Sequence, residues 1–151
     1  MLLFGSNYLQ PVRFTVNAAT DTANVLALRI KTHLCRIARQ ATPITYQALA
    51  KELNLSPPNT IHQLSVALEY LIKEDAAAAR PLIAALVVSK ARGGLPAPGF
   101  FDCAGRVGRF DGDPSGPEGS AFYEAEFNNA VKYWTAATEI VEADVQVRQP
   151  S

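Results

Sequence analysis

The chain has 151 residues, enough for one domain to bury its own core without metal or disulfide staples. Hydrophobic residues make up 48% of it, which excludes a disordered chain. Fourteen basic side chains balance fourteen acidic ones, so steering of the whole molecule toward nucleic acid or an anionic membrane is excluded as well.

The charge is unevenly spread. Residues 1–79 carry a net +2, residues 80–110 a net +4 and residues 111–151 a net −6. A basic middle beside an acidic end suits either a local anion-binding face or attraction within the molecule. Cys35 and Cys103 form no CxxC and have no His pair beside them, so a structural zinc site is not expected and two reduced thiols are. The opening MLLFGSNYLQ has no basic residue before its apolar run, unlike a secretory signal. No apolar run approaches the roughly 20 residues that span a bilayer. The expectation is a cytoplasmic protein, away from membranes, with no cofactor and no metal.

In chain order, Arg13–Val16 reads as a short strand. Thr20 or Asp21 then caps a helix running to about Gln40. Its Leu26, Ile30, Leu34 and Ile37 recur at helical spacing and mark a buried face, while Arg29, Thr32, Arg36 and Arg39 share another. His33 reads as a boundary residue and Cys35 as a small packed side chain. Ala41-Thr42-Pro43 breaks the helix, and Thr45 caps a second, from Tyr46 to about Asn54. Ser56 caps a third at Pro57, ending near Lys73, with Ile61, Leu64, Leu68 and Leu71 facing inward. Glu74, Asp75 and four alanines read as a link. Leu82–Ser89 reads as a strand, Lys90–Gly94 as a turn, and LPAPG at 95–99 as an extended segment that its prolines keep out of a ladder. A short helix is expected over 100–109 and a loop over 111–120. Ser120 caps a last helix, 121–143, whose Tyr123, Phe127, Ala130, Trp134, Ala137 and Val141 form an apolar stripe for the core. That stripe is short for a dimer seam.

Residues 45–71, TYQALAKELNLSPPNTIHQLSVALEYL, have the form of a helix-turn-helix. The second helix opens with Asn59, Thr60, His62, Gln63 and Ser65, side chains suited to base edges and phosphates. If Leu82–Ser89 pairs with a strand beyond the glycines, Lys90 and Arg92 sit at the tip of a wing and hold the backbone. The recognition helix lacks Lys and Arg before Lys73, and phosphate neutralisation dominates affinity. Binding would therefore rest on Lys51, Arg80, Lys90, Arg92 and the Arg29/Arg36/Arg39 face.

Thr45-Tyr46-Gln47-Ala48-Leu49-Ala50, then Ile61 to Ala67, then Pro81 to Val88 with a glycine turn after it, resemble the C-terminal winged-helix domain of the O6-alkylguanine DNA alkyltransferases and their alkyltransferase-like relatives. The first segment matches closely, the second in its apolar pattern, and Val87-Val88 match the end of the third. The resemblance covers about a third of the chain and implies a winged helix that binds DNA. It also implies loss of the reaction. Ala84 and Ala85 stand at the cysteine and histidine positions, and alkyl transfer needs an activated thiolate. His62 stands at the position of the arginine that replaces a flipped-out base.

Other constellations are weaker. Asp111-Gly112-Asp113 is not followed by the glutamate that completes an EF-hand series, and reads as a solvated loop. An enzyme would have to use His33, His62, Asp102, Cys103, Asp111 or Asp113. Gly93–Phe101 reads as a rigid lip beside a pocket or as an anchor that folds the turn onto the core; the aromatic pair favours the anchor.

The fold class expected is thus a single mainly helical α+β domain. It comprises a winged helix-turn-helix core over 21–110 with an N-terminal helix, a loop over 111–120 and a long C-terminal helix. The function expected is nucleic-acid binding without catalysis, regulatory or of mobile-element origin, with Asn59, Thr60, His62 and Gln63 in the groove and Lys90 and Arg92 on the backbone. The alternatives are a protein–protein module, such as an inhibitor or adaptor, and an unrecognised enzyme. Partner and oligomeric state are not fixed by the sequence.

Overall fold

The computed structural model describes residues 18–148, and they are mostly helical with one small sheet. The strand expected at Arg13–Val16 lies outside the described residues. Helix α1, Ala18–Gln40, buries Leu26, Ile30, Leu34 and Ile37, the face that the spacing marks. The chain turns at Ala41 and enters strand β1, Ile44–Thr45. The Thr45 hydroxyl accepts the Ala48 N–H at 3.1 Å and caps α2, Tyr46–Glu52.

Helix α3 starts later than expected, at Thr60, and runs to Ala77. Ser56 is not its cap: Asn59 occupies that place in the left-handed region, at φ 63°, which Asn tolerates better than most residues. Glu74, Asp75, Ala76 and Ala77, expected as part of a link, continue the helix, in keeping with alanine's helix propensity, while Ala78 ends it and Ala79 turns at φ 58°. Leu64, Leu68 and Leu71 are buried, but Ile61, expected beside them, is exposed in the first turn.

The largest correction concerns Leu82–Ser89. Ile83–Leu86 form a 3₁₀ turn, and only Val87–Val88 form a strand, β2. It pairs with β1 in parallel, Ile44 opposite Val87 and Thr45 opposite Val88. Among the described residues no strand follows the glycines. Lys90–Arg92 form a second 3₁₀ turn in place of a hairpin tip.

The reason lies in what holds residues 80–83. Asp75, 1% exposed, accepts the Ile83 N–H at 3.0 Å and the Arg80 guanidinium at 3.0 Å. Glu126 accepts the Leu82 N–H at 2.8 Å and faces the Arg109 guanidinium at 3.4 Å. Arg109 also donates to the Arg80 carbonyl, and the Trp134 indole N–H donates to the Pro81 carbonyl at 3.1 Å. Two backbone donors that a longer ladder would need are therefore committed to carboxylates. Leu82, Ile83, Leu86 and Val87 are fully enclosed, each stabilising the fold by about 1.5–3 kcal/mol.

Helix α4, Pro98–Arg106, has its proline in the first turn, where no N–H is needed. Phe100 and Phe101 are buried and meet Phe110 and Phe122 in one aromatic cluster, with ring centres 4.9–6.5 Å apart. The segment before them is therefore an anchor. Helix α5 spans Pro117–Arg148 and so begins three residues before Ser120, with proline again in the first turn. A Cβ on Gly119 would lie 2.3 Å from the Pro114 carbonyl oxygen, so only glycine fits there. In the preceding loop, Asp113 accepts the Ser115 N–H and hydroxyl, and Glu118 accepts the Asp113 N–H. These acids tie the turn into the helix start. Along the stripe of α5, Ala130 and Trp134 are buried and Tyr123, Phe127 and Ala137 half-buried.

Removing one member of a buried ion pair strands the other. Asp75→Ala is expected to cost about 3–5 kcal/mol in chemical denaturation. A loss below about 1 kcal/mol would show that the clamp is not needed.

Candidate nucleic-acid interface

The six residues expected at the interface fall on two separate segments. Asn59, Thr60, His62 and Gln63 share the first turn of α3; Lys90 and Arg92 share the 3₁₀ turn after β2. No hydrogen bond or ion pair links the two groups among the described residues. Asn59 and His62 are exposed, and Thr60 is half-buried. Asn59 makes no side-chain cap, so its amide faces solvent with its donors and acceptor open.

Gln63 is differently placed. Its side-chain amide donates to the Pro58 carbonyl at 3.0 Å and to the Ser56 carbonyl at 3.3 Å. Pro57 and Pro58 supply no N–H to this turn, so the helix must lend a donor from a side chain. Gln63 thus braces the turn that leads into α3, and its amide N–H groups are taken.

The 89–95 segment is a closed loop. The Ser89 N–H donates to the Leu95 carbonyl at 2.7 Å, while the Arg92 and Gly94 N–H groups donate to the Ser89 carbonyl at 3.1 and 3.3 Å. Gly93 and Gly94 have φ of 66° and 95°, which side chains rarely adopt. Lys90 is exposed and Arg92 half-exposed at the outer side of this loop. Neither has an acidic partner among the described residues.

The other cations of the basic middle are different. Arg80 pairs with Asp75 and Glu74, Arg106 with Glu69 at 3.5 Å, and Arg109 with Glu126. On α1, Arg29 donates to the Leu53 carbonyl at the end of α2. Arg36 donates to His33 Nδ1 at 3.0 Å, and His33 Nε2 meets Glu52 at 2.5 Å. His33 is the boundary residue that the sequence suggests, and it ties α1 to α2.

Tyr46 joins the helix-turn-helix to the proline-rich segment. Its hydroxyl oxygen accepts the Ala97 N–H at 3.2 Å. Burial pushes the phenol up from its ordinary pKa, and the Ala97 N–H pulls it partly back. Beside it is a small cavity of about 60 Å³, bounded by Tyr46, Ser65, Glu69, Ala84 and Phe100. Ala84 is buried on its wall, and no thiol or imidazole lines it. Sequence reasoning missed a different feature of α3: Ile61, Val66 and Tyr70 are each about 40% exposed. The 61–71 apolar pattern contains more hydrophobic residues than one helix face accommodates, and that surplus was the available signal.

Compared with known proteins, the chain matches no family model, no curated protein and no solved structure. Among the described residues no helix is long and apolar enough to cross a membrane.

Two outcomes follow from this geometry. Gln63→Ala is expected to lower stability by about 1 kcal/mol, the value of lost hydrogen bonds at a half-buried site. If it instead left the melting curve unchanged and altered binding, the bracing role would be wrong. Cys103 is buried, and burial followed by the nearby Glu69 raises its thiol pKa, so the unreactive thiol form persists. Iodoacetamide at neutral pH should therefore modify half-exposed Cys35 before Cys103, as read by mass spectrometry of tryptic peptides.

Proposed function

We propose that the chain is a non-catalytic nucleic-acid-binding domain, read as a winged helix-turn-helix whose wing is reduced to the closed loop at 89–95. The observation that carries this reading is the distribution of pairing among the basic residues. Arg80, Arg106 and Arg109 are each paired with a carboxylate, whereas Lys90 and Arg92 stand on a closed loop with no acidic partner among the described residues. In this reading Lys90 and Arg92 contact phosphates. Asn59, Thr60 and His62, at the N-terminal turn of α3, meet the groove. Gln63 supports that turn from behind. The resemblance to the alkyltransferase-like winged helix agrees with this placement, and Ala84 at the cysteine position is consistent with binding alone.

With so few cations, affinity for random sequence is expected to be modest and steeply salt-dependent. Fluorescence anisotropy with a labelled random duplex and a labelled single strand, from low to physiological salt, tests it. Lys90→Ala/Arg92→Ala should reduce the slope of log K against log salt by about 2 on duplex DNA. Absence of binding by the unaltered chain at low salt would sink the reading.

A second reading rests on a separate observation. Val66 and Tyr70, one turn apart, give α3 an exposed apolar strip with the acidic Glu69 beside it, a surface better matched to protein than to a phosphate backbone. A regulatory inhibitor or adaptor would use that face. Retained binding of a protein partner by the Lys90→Ala/Arg92→Ala variant, with no effect of DNA, would favour it.

A further inference from the structure

A groove of about 540 Å³ lies between α1 and α5, away from both segments of the proposed interface. Lys31, Thr32, Cys35 and Arg36 form one wall, at i and i+4 spacings on α1; Trp134 and Ala137 form the other. The volume falls in the range of small-molecule sites, which are mostly apolar with a few placed polar groups.

Among the described residues its charged groups have one sign. The Thr32 hydroxyl donates to the Leu28 carbonyl, and the Thr138 hydroxyl, also on the wall, donates to the Trp134 carbonyl. Apart from the weak Cys35 thiol, the side-chain donors facing the groove are then the Lys31 ammonium and the Arg36 guanidinium. Arg36 is held by a ring nitrogen of His33 and by no carboxylate. Lys31 lies 5.2 Å from the centre of the Trp134 ring and 3.7 Å from Glu74. Among the described residues no carboxylate lines the groove. An apolar floor with an indole edge and two cations at its rim fits an anion with a flat apolar body.

We propose that the α1–α5 groove is a binding site for a small amphipathic carboxylate, its apolar part against Trp134 and Ala137 and its carboxylate between Lys31 and Arg36. The site is independent of nucleic-acid binding, because neither wall contributes to the first turn of α3 or to the 89–95 loop.

Trp134 is the chain's single tryptophan, so its fluorescence reports on this groove directly. The probes are 3-phenylpropionate, its alcohol 3-phenylpropanol and its amine 3-phenylpropylamine, none of which absorbs at the excitation wavelength of tryptophan's red edge. Phenylpropionate should change the Trp134 emission saturably, with the alcohol and amine about tenfold weaker, the value of one charge-assisted hydrogen bond. Saturating phenylpropionate should also slow alkylation of Cys35. Arg36→Gln should weaken the carboxylate severalfold while leaving the alcohol unchanged, and Ala137→Phe should abolish binding of all three, with circular dichroism confirming that each variant is folded. Equal affinity for the three probes would overturn the proposal. So would a carboxylate affinity unchanged in Arg36→Gln, no saturable change at all, or alkylation of Cys35 at the same rate with and without probe.

Discussion

The structure depends on how residues 80–83 are held. A short irregular segment runs from half-buried Arg80 and Pro81 into the core at Leu82 and Ile83, and its amide groups have no ladder partner. Asp75 from α3 and Glu126 from α5 accept its N–H groups, while Trp134 and Arg109 donate to its carbonyls. Burial raises the Asp75 carboxyl above its ordinary pKa, and the Ile83 N–H and Arg80 guanidinium oppose that shift. The clamp fastens the end of α3, the bend at Arg109 and the helix α5 to one stretch of backbone. It also brings Arg80 within 5.5 Å of the Trp134 ring centre, opposite in sequence terms to the contact made by Lys31.

Everything downstream inherits its position from that clamp. Once Leu82 and Ile83 are fixed, β2 has only two residues left to pair with β1, and the chain leaves the core at Ser89. The loop that follows closes on itself through Ser89 and Leu95, so its cations are held by backbone hydrogen bonds without a partner strand. On the other side, Tyr46 and the buried Phe100–Phe101 pair fix the chain's return. The 89–95 loop is thus short and closed by backbone hydrogen bonds between two anchored ends.

The helices were legible because their signals are local. Thr45 as a cap, the Leu26 to Ile37 stripe and the breaker at Ala41–Pro43 each act within one or two turns. The errors arise where the deciding partner is far away. Leu82–Val88 has a strand's composition, but the acceptors that take its N–H groups come from eight and forty-four residues away. Gln63 looks like a groove residue until two prolines are seen to leave their turn short of donors. The placement of α5 is a different kind of miss: Pro117 is a good first-turn residue by the same rule that was applied to Pro57, where the following Asn59 delayed the helix instead. Of the candidate site, the sequence placed Asn59, Thr60, His62 and Gln63 at the start of the second helix and Lys90 and Arg92 on a turn after Val88, which are the two segments described. It did not show which cations were already paired.

That last point bears on the charge pattern. A basic middle beside an acidic end suggests either an anion-binding face or internal attraction, and the pairing divides the two by residue. Among the described residues Arg109 reaches an acid of the C-terminal region, Glu126, while Arg80 and Arg106 turn to Glu74, Asp75 and Glu69 on α3. The attraction among these residues therefore runs mainly between the middle and α3, and its Arg80–Asp75 pair serves the clamp. The Arg80–Asp75 and Arg109–Glu126 pairs are partly buried and are screened less by salt than the exposed Arg106–Glu69 pair. Lys90 and Arg92, with no carboxylate partner among the described residues, join Arg106 as charges whose interactions salt can weaken, so salt dependence distinguishes these from the charges that hold the clamp.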